Sequence, residues 1–384
     1  MVMMAAMQIA FATWMVLQYN FAAEVLGFDG YELGIQQSVR EIPGFLSFAA
    51  VFLLFLMREQ VLAYVSLVLL AVGVMATGWW PSMTGFLVMT FVSSVGFHYY
   101  ETMQQSLTLQ WLSKAEAPRA IGRIMAVSGL AQLAAYALIF LAGRTFELSY
   151  NTLFVVAGGI TLAAVVWMWR VWPIYPEGVP QTRAIVLRRR YWLYYALVFM
   201  GGARRQIFVV FAAWMMVERF GYAFHDVAAL FFVNAGILML AGPLAGRIVE
   251  RLGERRSLMI EYVGLFLVFS AYAVVSSAWV AVVLYIVDHA LFALAIAQKT
   301  YFQKIATPSD IAATAGVAFS INHVAAVVIP VLFGLLWLVS PAAVFGAGAA
   351  MALVSLGLAF LVPRHPKEGD EVARFRPRGT LAQV

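Results

Sequence analysis

Apolar runs of roughly 20 residues recur along the whole chain, separated by short polar connections. A run of that length is what an α-helix needs to cross a hydrocarbon core of about 30 Å. A backbone in that core finds no water, so it must satisfy its own N–H and C=O groups as a helix or a closed barrel. About twelve such runs fit, which predicts an all-α integral membrane protein. Charged residues make up 11% of the 384 residues, against roughly 25% in soluble domains. So few charges cannot cover a water-exposed surface. The chain has room for twelve spans and short loops, but not for a sizeable soluble domain. It contains no Cys, which excludes disulfides and thiol chemistry without fixing a compartment.

The runs fall into two sets. Between them lies Val171–Arg190, VWPIYPEGVPQTRAIVLRRR, with three prolines, one acid and four arginines. This predicts a six-helix bundle over 1–170, a linker over 171–190 and a second six-helix bundle over 191–362. The tail, 363–384, is charged and rich in Gly, Pro and Arg, and is expected to be disordered. An offset of about 190 residues aligns the halves, placing Asp288 opposite His98, an internal repeat of the kind found in secondary transporters. The first run begins near Val2 with no charge before Glu24. That reads as a retained helix rather than a cleaved signal.

The location of Lys and Arg sets the orientation. Alternate connections, with the linker and tail, carry nineteen of them, from Arg58 through Arg247 and Lys304 to Arg378; the other side carries Arg144 and Arg219. Both termini and the linker are therefore expected in the cytoplasm, the membrane being a bacterial inner membrane. Nucleic-acid binding would explain neither the alternation nor the apolar runs, and is set aside as a partner.

The loop Gly246-Arg-Ile-Val-Glu-Arg-Leu-Gly-Glu-Arg-Arg256 resembles the loop motif of the major facilitator superfamily. Glu250 stands where that motif usually has Asp, and Arg251, Gly253, Arg255 and Arg256 match it. The usual stronger copy, after the second span, is reduced here to Met57-Arg58-Glu59-Gln60. The resemblance implies two pseudo-symmetric six-helix bundles around a central site and transport by alternating access. Gly246, Glu250, Arg251 and Arg255 would then form a latch that breaks as the lobes rock. The residues alone are also consistent with an ordinary basic loop that sets topology.

Seven ionisable groups lie within the spans: Arg40, Glu41, Glu101, Arg204, Arg205, Asp288 and Lys299. Each costs at least roughly 2.5–3.5 kcal/mol at the centre of a bilayer. Facing lipid, they would together cost more than most folds are stable by, so they are expected to face one another or a wet cavity. The resemblance implies that spans one, four, seven and ten line that cavity. Tyr19 and Asn20, Tyr99 and Gln105, Arg204, Arg205 and Gln206, and Lys299 are the candidate substrate contacts. Arg204 and Arg205 point about 100° apart on a helix, so one faces the cavity while the other pairs with an acid from a neighbouring span. His98 and Glu101 share a helix face, as do Asp288 and Lys299; Glu101 and Asp288, tuned by His98 and His289, are the candidate proton carriers. Glu101 with His98 could equally be a buried structural pair, and Lys299 could snorkel to the cytoplasm. Arg40 and Glu41 read as a gate contact or structural ion pair as readily as a substrate contact. Asn322 and His323 read as interhelical hydrogen bonds.

Two consecutive arginines suit a carboxylate or phosphate. The expected function is secondary active transport of a small organic anion or polar metabolite by a monomer, coupled to protons or another ion, with no cofactor and no bound metal. The alternative is proton-driven export of amphipathic cations, with Glu101 and Asp288 binding the cargo and Tyr99 and Tyr100 stacking on it. A membrane enzyme would need a catalytic constellation such as HExxH, which is missing; a GxxxxGK[ST] phosphate loop is missing too. A receptor or channel would show no saturable, gradient-driven flux.

Overall fold

The computed structural model describes residues 1–111, 117–173, 187–307 and 310–373, and within these residues the long elements are all helices. The first half contains α1 (Val2–Val25), α2 (Gly30–Phe45, continued by a 3-10 turn Leu46–Ala49 and by Ala50–Leu53), α3 (Glu59–Ala76), α4 (Met83–Trp111), α5 (Ala117–Thr145) and α6 (Tyr150–Val171). The second contains α7 (Arg189–Glu218), α8 (Phe224–Leu252), α9 (Glu254–Val274), α10 (Ala278–Ile305), α11 (Ile311–Val339) and α12 (Pro341–Phe360). Ten of these twelve are long and apolar enough on their own to cross a membrane. The exceptions are α2, interrupted by Arg40, Glu41 and Pro43, and α4, with its polar centre FHYYETMQQ.

Local sequence sets the turns. Gly27 adopts φ +66° before α2. Asp29 then caps α2 by accepting hydrogen bonds from the backbone N–H of Tyr31 and Glu32, while Glu32 accepts one from Asp29 N–H, a capping box. Gly253, at φ +79°, separates α8 from α9 in a conformation that favours glycine.

The two halves pack alike. Within the first, α1 contacts α5 and α6, α3 contacts α4 and α6, and α2 contacts α4. In the second, α7 contacts α11 and α12, α9 contacts α10 and α12, and α8 contacts α10. The main contacts between the lobes are α2 with α11 and α5 with α8, which are two-fold equivalents of each other. An even number of spans leaves both termini at one end of the bundle, called here the terminal end; the other is the distal end.

The lobes are closed at the distal end. A Cβ on Gly34 would lie 2.3 Å from the Pro330 carbonyl oxygen, so α2 and α11 cross backbone to backbone, as small residues allow. Tyr19 donates a hydrogen bond to the Val209 carbonyl (2.6 Å) and Asn20 donates one to the Tyr222 carbonyl (2.7 Å). Val209 lies in the π-helical turn Ile207–Ala212 of α7, a deformation that frees carbonyls to bond outside their own helix. Above this seal is a vestibule of about 410 Å³ lined by residues including Glu24, Phe28, Trp214, Glu218 and Tyr222. Along α5 and α8, Gly143 packs against Phe224 and Tyr136 against Phe231. Nearer the terminal end, nothing lies within 4 Å of a Cβ placed on Gly129, Gly236, Gly242 or Gly246. Among the described residues, the seam therefore shows close approaches at its distal end and none at these glycines nearer the terminal end.

Residues 363–373 of the tail depart from the expected disorder. Tyr301 donates a hydrogen bond to the Glu371 carbonyl (2.5 Å) and Ala373 N–H donates one to the Leu361 carbonyl (2.7 Å). Residues 374–384 and most of the linker lie outside the described residues.

Candidate functional site

Two ionic clusters occupy the middle of the bundle. One lies on the seam. Arg40 and Glu41 are buried and paired at 2.5 Å. Gln37 donates to Glu41 Oε1 (3.1 Å) and, across the seam, to Gln206 Oε1 of α7 (3.3 Å). His323 of α11 lies 3.7 Å from Glu41 Oε2, and its ring stands 5.3 Å from that of His98 on α4. Gly44 makes room for both rings: a Cβ there would lie 2.3 Å from the His323 ring and 2.8 Å from that of His98. Glu101 Oε2 is 3.9 Å from His98 Nδ1, and its side chain is 51% exposed.

Arg205 belongs to this cluster. It is exposed although it lies in the middle of α7. Its charge acts on Glu41, His98, Glu101, His289 and His323. Those five groups come from α2, α4, α10 and α11, so Arg205 projects into the space between the lobes.

The second cluster is sealed inside the second lobe. Arg204 is 1% exposed. Its guanidinium lies 3.8 Å from Glu261 of α9, stacks 4.3 Å from the Tyr262 ring centroid and donates to the Met200 carbonyl (3.2 Å). Asp288 of α10 is fully buried, feels the charge of both Arg204 and Glu261, and approaches His289 at 3.8 Å. Both Asp288 oxygens, Glu261 Oε2 and Arg204 Nη1 are buried without a hydrogen-bond partner. His289 Nδ1 bonds the Tyr285 carbonyl (2.8 Å).

Glu261 is absent from the sequence candidates. It carries the same signal as the other seven, an ionisable group within an apolar run. It sits within a turn of the start of its run, where it is easily taken for an interfacial residue. Tyr19 and Asn20, expected to contact substrate, are buried and engaged in the distal seal. Gln206 is buried on the seam, and Tyr99 is half-buried on α4. Lys299 is exposed, near the terminal end of α10 and away from Asp288's sealed pocket. The side chain of Gln105 lies outside the described residues.

Among the described residues, no partner for the expected latch is seen. Glu250 and Arg251 are exposed, and among the described residues Glu250 has no ion-pair partner. Arg255 stacks over Phe360 at 5.9 Å, and a Cβ on Gly246 would touch nothing. Among the described residues, ion pairs at this end include Glu254 with Lys304 (2.6 Å), Arg188 with Asp310, and Arg190 with Glu368 and Glu371 (3.7 and 3.8 Å).

Two pseudo-symmetric six-helix lobes with an ionic seam between them define a transporter fold spanning the membrane many times, built for a small-molecule substrate. A family model of the major facilitator superfamily matches residues 1–330, and the chain belongs to that superfamily. Solved structures of similar fold include the nucleoside transporter NupG (13% identity, 93% of this chain and 97% of that one, TM-score 0.76). A bacterial homologue of the human lysosomal transporter Spinster, inward-facing and occupied, is 13% identical over 97% of each chain, with TM-score 0.78. The xylose transporter XylE from E. coli, partially occluded and inward open, is 11% identical over 94% of this chain and 98% of that one, with TM-score 0.69. No curated protein matches in sequence.

Proposed function

We propose that the protein is a secondary active transporter that carries a small organic anion or polar metabolite by alternating access, driven by protons. The observation that carries this reading is Arg205, an exposed guanidinium in mid-span between the lobes, within electrostatic range of two acids and three histidines. A fixed cation in a space of reduced dielectric attracts an anionic group, and guanidinium holds a carboxylate or phosphate through two parallel hydrogen bonds. Gln206 and Gln37, bridging the seam beside it, would sense closure around the cargo.

Proton coupling is supported by charge balance in the sealed cluster. One guanidinium offsets one carboxylate. Burying a second unpaired carboxylate in a membrane-embedded lobe is costly, so Glu261 and Asp288 would hold one proton between them around Arg204. Glu101, half-exposed beside His98, would be the acid that meets the proton from the open side. The positive connections support a terminal end, with both termini, in the cytoplasm; the membrane would be a bacterial inner membrane, and the protein would work as a monomer.

The test is uptake into proteoliposomes under an imposed pH gradient, with a panel of carboxylates, phosphates and organic cations. Gradient-driven flux of an anion that falls in Arg205→Ala and uncouples in Asp288→Asn or Glu101→Gln supports the reading. Flux of cations alone, insensitive to Arg205, would favour an exporter of amphipathic cations.

A further inference from the structure

We propose that Glu41, His98 and His323 form a binding site for a borderline transition-metal cation such as Zn²⁺, with ligands drawn from both lobes. The inference goes beyond the transport reading and does not depend on it. One ligand atom from each residue lies within 4.8 Å of the other two, and all three residues are buried. The Glu41–His323 distance of 3.7 Å is close to the separation of about 3.3 Å between tetrahedral ligands with Zn–N and Zn–O bonds near 2.0–2.1 Å.

The donors are oriented for this role. His323 Nδ1 bonds the Phe319 carbonyl at 2.9 Å; with Nδ1–H donating, the lone pair is left on Nε2, which faces Glu41. Metal-binding histidines are held in this way by a partner on the far nitrogen. Arg40 and Gln37 both engage Glu41 Oε1, which leaves Oε2 directed at His323. His98 Nδ1 is buried with no hydrogen-bond partner. Gly44 lacks the Cβ that would displace both rings.

The charges that face the site are Arg40 on α2 and Arg205 on α7, against Glu41 on α2 and Glu101 on α4. These offset one another when both histidines are neutral, so the cation enters balanced surroundings. Two imidazoles and one carboxylate suit Zn²⁺ and its neighbours over Mg²⁺, which prefers all-oxygen shells. Because α2 and α4 belong to one lobe and α11 to the other, an ion bound here would hold the distal seam shut.

The experiment is competition for Zn²⁺ between the purified full chain and a chromophoric chelator. The expected result is one Zn²⁺ per chain, not displaced by excess Mg²⁺. His98→Gln and His323→Gln should each weaken binding at least about tenfold, the least that loss of an outer-shell partner costs a metal site. His225→Gln, in the first turn of α8 at the distal end, should bind as wild type does. Wild-type affinity in both His98→Gln and His323→Gln, displacement by Mg²⁺, or no stoichiometric binding would overturn the proposal. X-ray absorption at the zinc edge of the wild-type complex gives a reading free of variant misfolding. Scattering from two imidazoles supports the site, and a shell without imidazole overturns it.

Discussion

Arg204 and Arg205 are neighbours in the chain and occupy opposite environments. Arg204 is sealed in the second lobe against Glu261, Tyr262 and Asp288. Arg205, about 100° around the same helix, is exposed between the lobes among groups from four other helices. The difference teaches that identical charges a residue apart can be divided between the sealed core of one lobe and the space between the lobes. The sealed one is held by its own lobe in any arrangement of the two lobes. The open one would change its surroundings if they rocked.

The largest expected effect tests the sealed side. Arg204→Ala leaves Glu261 and Asp288 without their cation, and removing one partner of a buried ion pair costs about 3–5 kcal/mol. Thermal unfolding in detergent should show a marked loss, partly restored by adding Glu261→Gln, since the stranded charge is then gone. Arg205→Ala is the counterpart. Flux should fall at least about tenfold while stability changes by no more than about 0.5 kcal/mol, as for surface positions. If Arg205→Ala proved the more destabilising of the two, the contrast would be lost.

A third prediction concerns the seam. Gly34→Leu places a side chain against the Pro330 carbonyl, an overpacking that costs about 1–3 kcal/mol in the distally closed state alone. The chain has no native Cys, so a single Gln37→Cys, buried on the seam behind the distal seal, reports opening. Its labelling by an impermeant maleimide should speed up several-fold when Gly34→Leu is added. The smallest effect belongs to the terminal end. The hydrogen bond from Arg188, with the nearby positive charge of Arg188 and Arg190, holds the Asp310 carboxyl below its ordinary value of 3.8. A lowered acid stabilises the folded state above its unfolded value and loses that contribution as pH falls through its folded value. The melting-temperature difference between wild type and Asp310→Asn should therefore stay level from pH 7 to about 5 and shrink only below about 4.

Much of this architecture could be read from residue order. Apolar runs of bilayer length, the basic linker before Arg190 and the rule that charges avoid lipid lead to helices, two halves and positions away from lipid for Arg40, Glu41, Glu101, Arg204, Arg205 and Asp288; a single interior shared by all six does not form, because Arg204 and Asp288 are sealed within the second lobe. Glu261 and His323 were less legible. Their importance comes from partners on other helices, more than fifty residues away for Glu261 with Arg204 and more than two hundred for His323 with Glu41. Tyr19 and Asn20 illustrate the same limit. Their polarity is plain in sequence, but whether a buried donor meets a substrate or a carbonyl of the other lobe depends on where the π-helical turn of α7 lies.

The order of residues alone determined that this chain lives in a bilayer as helices, because the cost of leaving backbone groups unbonded in hydrocarbon allows little else. It determined too that the interior is ionic, because charge is costly against lipid. Tertiary structure decided which arginine is sealed and which is open, which acid accompanies Arg204, and which end of the seam is shut. Those outcomes depend on helix rotation and lobe docking, and the contacts that set them join residues far apart in the chain.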